Sequence, residues 1–147
     1  MGLNEGLDRT MRNLFLAALM LLATAANAVP PMPPELVRTN WSWIGFTNPA
    51  ETLTIPEPER YTLSFADGDR VALSVDCNRA AGSVAFPEPG AIRFGVLART
   101  HAICPGGSLG NRFAREVVRA GRWTIQRGEL RLELSGDAGV LRFARQS

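Results

Sequence analysis

The chain has 147 residues, a net charge of +2 at neutral pH, sixteen basic residues that are all arginine, and only two cysteines. That length accommodates one domain beside a short N-terminal segment. The arginines are scattered (Arg60, Arg70, Arg79, Arg93, Arg99, Arg131, Arg142) and interrupted by acids. A groove that tracks phosphates clusters its basic residues with stacking aromatics, so nucleic-acid binding is not expected.

Leu14 to Ala26 is an uncharged apolar run of thirteen residues, preceded by Arg9 and Arg12 and followed by Ala26-Asn27-Ala28. A basic start, a short apolar stretch and small residues at the cleavage positions make a secretory signal peptide over residues 1–28, cut after Ala28. The run is shorter than the roughly twenty apolar residues that span a bilayer. Retention of the segment as an anchor is the alternative, and Met11 is a second credible start. The expected location is the periplasm. No cysteine follows the apolar run, so no lipid attachment site is present. The remaining chain, residues 29–147, has no membrane-spanning stretch and is expected to be a monomer.

Residues 29–38 hold VPPMPP and read as an extended lead-in, since prolines neither donate to a ladder nor continue a helix. The domain is expected from 39 to 147. Trp41 to Phe46 reads as a first strand, with Trp41, Trp43 and Gly45 on one face and Ser42, Ile44 and Phe46 on the other. Tyr61 to Phe65 and Val71 to Val75 alternate around Asp67-Gly68, a strong hairpin pattern. Gly82 to Phe86 and Ile92 to Phe94 form a second hairpin with a longer turn. Gly95 to Cys104 lacks a period and reads as irregular.

One helix is predicted, Leu109 to Ala120, with Leu109, Phe113 and Val117 in a stripe and Ala114 and Val118 beside it. Arg112, Arg115, Glu116 and Arg119 fall mostly on the other face. Ser108 is the expected N-cap and Gly121 the C-terminal stop. Trp123 to Ile125, Leu130 to Leu134 and Leu141 to Phe143 are three more strands joined by glycine turns. Strands, one helix, then strands make an α+β domain: a strongly curved antiparallel sheet, a half-barrel, packed around one α-helix.

The chemistry-bearing residues are few. In an oxidising compartment Cys77 and Cys104 are expected to pair, closing a loop of about 27 residues. The sharper alternative is a Cys104–His101 dyad, but no third residue is evident to orient the histidine. One histidine and two cysteines lack the repeated spacing of a zinc site. No phosphate-binding loop or other cofactor motif is present, so no cofactor is expected. Asn40-Trp41-Ser42 fits the glycosylation triplet, which matters only in a eukaryotic secretory route. Trp41, Trp43 and Phe46 are read first as core and second as a ligand or partner surface.

The run Val75-Asp76-Cys77-Asn78-Arg79-Ala80-Ala81-Gly82, then Ile92 to Thr100, then Cys104-Pro105, resembles the META domain of the HslJ-like family (heat shock protein HslJ). Trp41, the Tyr61–Phe65 strand with Asp67-Gly68, Phe113 and Val117, and Leu130 to Phe143 are similar to the same family, so the likeness covers roughly residues 39–143. It implies a small α+β domain of the bacterial envelope, often a lipoprotein, with Asp76, Asn78, Gly82 and Thr100 as structural motif residues. Members are associated with envelope stress and novobiocin resistance, and no catalytic residues come with the family. This chain departs in lacking a lipidation cysteine and in carrying Ala102-Ile103 before the second cysteine.

Three functions are weighed. The first is a non-enzymatic envelope protein that binds another protein and acts in stress or antibiotic tolerance. The second is a binder of a small hydrophobic ligand or lipid in the barrel mouth beside Trp41, Trp43 and Phe46. The third, an enzyme, has only His101 as general base.

Overall fold

The computed structural model describes residues 28–147, so the expected signal segment lies outside the described residues apart from Ala28. The strands are β1 (Thr39–Asn48), β2 (Glu51–Thr54), β3 (Tyr61–Phe65), β4 (Arg70–Val75), β5 (Asn78–Ala85), β6 (Arg93–Phe94) and β7 (Ala98–Arg99). The helix α1 (Gly110–Val117) follows, then β8 (Ala120–Gln126), β9 (Glu129–Leu134) and β10 (Val140–Arg145).

The strands form one sheet in the order β6-β5-β4-β3-β1-β10-β9-β8, with β2 on β1 and β7 on β5. Every pairing is antiparallel. The sheet curls until its two ends meet. Ala91 bridges Arg122, the Ile92 amide donates to the Gly121 carbonyl at 3.1 Å, and the Trp123 amide donates to Gly90 at 2.9 Å. Among the described residues the result is a nearly closed barrel with one seam and a single α-helix, the α+β architecture expected from the sequence.

The alternating strands build the core directly. Tyr61, Leu63 and Phe65 of β3 face inward with Val71, Leu73 and Val75 of β4. Leu130, Leu132 and Leu134 of β9 lie beside Leu141 and Phe143 of β10. Burying each such side chain is worth about 1.5–3 kcal/mol. Phe113 carries the helix into this core. It stacks on Trp43 with centroids 5.2 Å apart and meets Tyr61 edge-on at 5.9 Å.

Four expectations need correction. In β1 the register slips between Trp43 and Gly45, leaving one extra residue opposite β10. The bulge turns Phe46 inward beside Trp41 and Trp43, and the Trp43 indole N–H donates to the Gly45 carbonyl at 2.9 Å there. Gly139, at φ 137°, makes room for it: a Cβ there would sit 2.5 Å from the Phe46 ring. Simple alternation had put Phe46 on the opposite face.

The helix is shorter than predicted. It ends at Val117, and Ala120 is already paired with Leu134 in β8. Gly121 is therefore a bulge residue of β8 rather than a helix stop. Sheet pairing of the segment overrides its local helical pattern, since an eight-residue helix is not stable alone. Glu116, assigned to the solvent face, is buried and ion-paired to Arg119 at 3.0 Å, while Val118 is exposed. Finally, the proline-rich lead-in is not merely extended. Residues 34–38 form turns, and Met32 and Leu36 are buried in the core. Thr39 joins the two parts: its hydroxyl donates to the Leu36 carbonyl at 2.6 Å and accepts the Trp41 indole N–H at 2.7 Å.

Candidate functional site

The turn between β4 and β5 is two residues, Asp76 and Cys77, since Val75 pairs with Asn78. Asp76 sits at φ 63°, a left-handed conformation that aspartate tolerates better than most residues. Its side chain is only 3% exposed and accepts from the Arg60 guanidinium, with Nε at 2.8 Å. The Ser108 hydroxyl, and then Arg60, hold the Asp76 carboxyl below its ordinary value. Ser108 makes no well-formed hydrogen bond to the carboxylate, however, and Oδ2 is buried without one. Arg60 also reaches Glu57 at 2.6 Å, so one guanidinium ties the chain before β3 to the β4–β5 turn.

Cys77 is joined to Cys104 in a disulfide with Cα atoms 5.6 Å apart, and among the described residues no cysteine is free. A sulfur in a disulfide is not a nucleophile, which removes the Cys104–His101 dyad. No group of three or more His, Cys, Asp and Glu side chains among the described residues is arranged to hold a metal.

Asn78, the residue after Cys77, is the centre of the arrangement. It is buried, and its Oδ1 accepts from the Ala102 amide at 2.7 Å and the Thr100 hydroxyl at 2.9 Å. Its Nδ2 donates to the Ala102 carbonyl at 2.9 Å. Thr100 completes the join: its amide donates to the Arg79 carbonyl at 3.0 Å, and its hydroxyl accepts the Arg79 amide at 3.0 Å. Asn78 bonds across to the 100–102 segment rather than into the turn before it. It replaces the strand partner that β5 has run out of, and so extends the β5–β7 ladder to Ala102. Gly82 acts next door: a Cβ there would lie 2.6 Å from the Val96 carbonyl oxygen, so glycine lets this segment close on β5.

The consequence is a rigidly held outer loop. Ile103, at its tip, is 100% exposed, and Val96, at the other end of the segment, is 95% exposed. Between this segment and α1 runs an open groove of about 690 Å³, floored by Phe94, Leu97, Ala114 and Val118. Arg99, His101 and Arg115 stand along it.

Of the residues singled out from sequence, Asp76, Cys77, Asn78, Thr100 and Cys104 converge here. Trp41, Trp43 and Phe46 do not. All three are buried in the core, the first of the two readings made of them, so the alternative of a ligand or partner surface falls, and Arg145 and Arg112 cover the Trp41 and Phe46 rings. Sequence reasoning missed Arg60, whose ion pair with Asp76 spans sixteen positions. It also missed the Tyr61 hydroxyl, which accepts the Leu109 amide at the start of α1 at 3.0 Å. Nothing in a periodic pattern marks either contact. The groove itself was not expected from the sequence, which marked Gly95 to Cys104 only as lacking a period.

A curved antiparallel sheet packed on the helix α1, with a disulfide and an asparagine anchoring one outer loop, defines a small α+β domain. Residues 34–147 match the META domain, and the chain belongs to that family. Three solved structures share the fold. A protein from Burkholderia xenovorans, solved by NMR, is 22% identical with a TM-score of 0.63, over 84% of this chain and 97% of that one. A DUF4847 family protein from Bacteroides vulgatus ATCC 8482 is 14% identical with a TM-score of 0.58, over 76% and 96%. A further NMR structure is 19% identical with a TM-score of 0.56, over 77% and 94%. At these identities the likeness speaks to the fold alone. No match was found among curated proteins. Among the described residues, no helix is long and apolar enough to cross a membrane.

Proposed function

We propose that this META-domain protein is exported to the periplasm and acts there without catalysis, by binding another protein, in envelope stress or tolerance of novobiocin-type antibiotics. The observation that carries the binding role is the clamp around Asn78. Its polar groups and the disulfide are spent on holding one loop outside the barrel, and that loop presents Ile103 fully to solvent. An apolar side chain held rigidly in water is a feature of docking surfaces, because little ordering entropy remains to be lost on association. The stress role and the export route rest on the family likeness and on the signal-like N-terminus. The hydrophobic-ligand alternative loses the residues on which it rested, since Trp41, Trp43 and Phe46 are packed inside.

Two measurements test this reading. Fractionation with N-terminal sequencing is expected to find the protein in the periplasm, starting at Val29; a cytoplasmic, uncleaved chain rejects export. A tagged chain expressed in its own host is expected to capture an envelope protein, and Ile103→Asp is expected to lose it. Capture of nothing under crosslinking rejects the binding role.

A further inference from the structure

The backbone of the 97–101 segment has one bonded side and one open side. Ala98 and Thr100 face β5, where Ala98 pairs with Ala81 and the Thr100 amide donates to Arg79. Ala102 faces the same way, onto Asn78. Successive residues of a strand point their amides and carbonyls to opposite sides, so those of Leu97, Arg99 and His101 face away from β5. Among the described residues none of the three bonds to another strand on that side. This is an unpaired sheet edge centred on β7, with three residues in its outward bonding positions, and it is anchored at its C-terminal end by Asn78 and the disulfide.

The open edge borders the groove against α1. Of the five large apolar side chains exposed among the described residues, Val96 and Val118 line this groove, and Ile103 lines the adjoining hollow of about 410 Å³. The two hollows share Arg99, His101 and Asn111, so they are continuous. Neither has an acidic residue in its lining. Arg99 donates to Asn111 at 2.8 Å, and Arg115, with its side chain 61% exposed, lies 3.8 Å from Glu116.

We infer that the 97–101 edge takes up an extended segment of a partner protein as an added β-strand, and that the segment alternates acidic with apolar residues. This rests on the protein-binding reading and specifies its surface. An added strand satisfies the free amides and carbonyls of Leu97, Arg99 and His101 and places alternate side chains in register-specific positions. Apolar side chains on one face meet the floor of Phe94, Leu97, Ala114 and Val118, and carboxylates on the opposite face lie toward Arg79 and Arg99, which line the hollow beside Ala98 and Thr100 without an acidic neighbour. A lipid is the poorer match, because the groove is open along its length and its free hydrogen-bonding groups are those of a backbone.

The probe is a fluorescein-labelled hexapeptide alternating glutamate and valine, titrated into the purified domain. Saturable binding is expected, with slowed exchange of the Leu97, Arg99 and His101 amides by NMR. A lysine–valine hexapeptide is expected to bind at least about tenfold more weakly. The glutamate–valine peptide N-methylated at alternate residues, which keeps its charges but cannot pair along an edge, is expected to lose a similar factor. Arg99→Glu, whose unchanged melting temperature verifies folding, is expected to weaken the parent peptide about fivefold. Equal binding of the methylated peptide, or exchange protection elsewhere, overturns the proposal. So does a concentration-dependent dimer that protects the same amides, because the occupant is then a second copy. If the tagged protein captures the same envelope protein with and without Arg99→Glu and Val96→Asp, the binding role stands and this edge is not its surface. If the tagged protein captures nothing and the hexapeptide fails to bind, both readings fall.

Discussion

The side chain of Asn78 and the backbone of Ala102 exchange two hydrogen bonds, at 2.7 and 2.9 Å, in the pattern two strand residues make with each other. An amide side chain has the donor and acceptor of a peptide group, so asparagine alone among the common residues of that length can close this pair in both directions. Asn78→Asp replaces the donor with an acceptor facing the Ala102 carbonyl. The expected cost is about 1–3 kcal/mol by urea denaturation, because buried polar groups are left unpaired. Faster exchange of the Ala102 amide is expected with it. A variant as stable as wild type would show that the bonds are replaced by water at no cost.

The disulfide holds the same loop from its other end. Its 27-residue separation gives an expected stabilisation of about 3–4 kcal/mol through restriction of the unfolded chain. Cys77→Ser with Cys104→Ser is expected to lose that amount. Adding Asn78→Ala to the double serine variant is expected to cost less than Asn78→Ala does in the oxidised protein, since both restrain one segment. A double-mutant cycle in urea measures the difference.

Phe113 couples the helix to the sheet by packing on Trp43, Tyr61 and Phe143. Phe113→Ala is expected to cost about 3–5 kcal/mol, from lost transfer energy and the remaining cavity. Near-ultraviolet circular dichroism is expected to weaken with it, as the Trp43 and Tyr61 rings lose a fixed neighbour.

Asp76 carries a pH dependence whose sign follows from its depressed value, caused by the Ser108 hydroxyl and then Arg60. The folded state holds the proton less tightly than the unfolded chain does. The contribution is therefore fully present above the ordinary aspartate value of 3.8 and is lost as pH falls below it toward the folded value. Asp76→Asn keeps a residue type suited to φ 63° and removes the charge. The stability gap between wild type and variant is expected to be flat near neutrality and to close in acid. A gap that persists unchanged at about pH 2 would assign it to shape rather than charge.

Arg127 and Gly128, at φ 52° and 80°, form the two-residue turn between β8 and β9. Arginine is poorly suited to the first of these positions. Arg127→Asn is expected to stabilise the protein by about 1 kcal/mol, since asparagine enters the left-handed region more readily. Thermal denaturation reads it.

How far this architecture could be read in advance depended on the range of the interactions. The β3–β4 hairpin was legible because alternation from Tyr61 to Val75 and the Asp67-Gly68 turn agree locally. The β9 and β10 strands were legible for the same reason. Phe46 was not, because a bulge adds one residue and reverses the face of all that follow, and the Trp43–Gly45 bond at that bulge has no periodic signature. The helix end was misplaced because Ala120 gains more from pairing with Leu134 than from another helical turn.

The sequence by itself determined the class of fold, the pairing partners available to the two cysteines and the family likeness, because those depend on residue type and on spacing along the chain. Tertiary structure alone decided that the β1 bulge turns Phe46 to the same side as Trp41 and Trp43, that Asn78 serves as a strand partner for Ala102, and that Leu97, Arg99 and His101 are left with an open edge. Those outcomes are set by which distant segments meet when the sheet curls, and a contact between residues more than twenty positions apart leaves no trace in the local pattern of either.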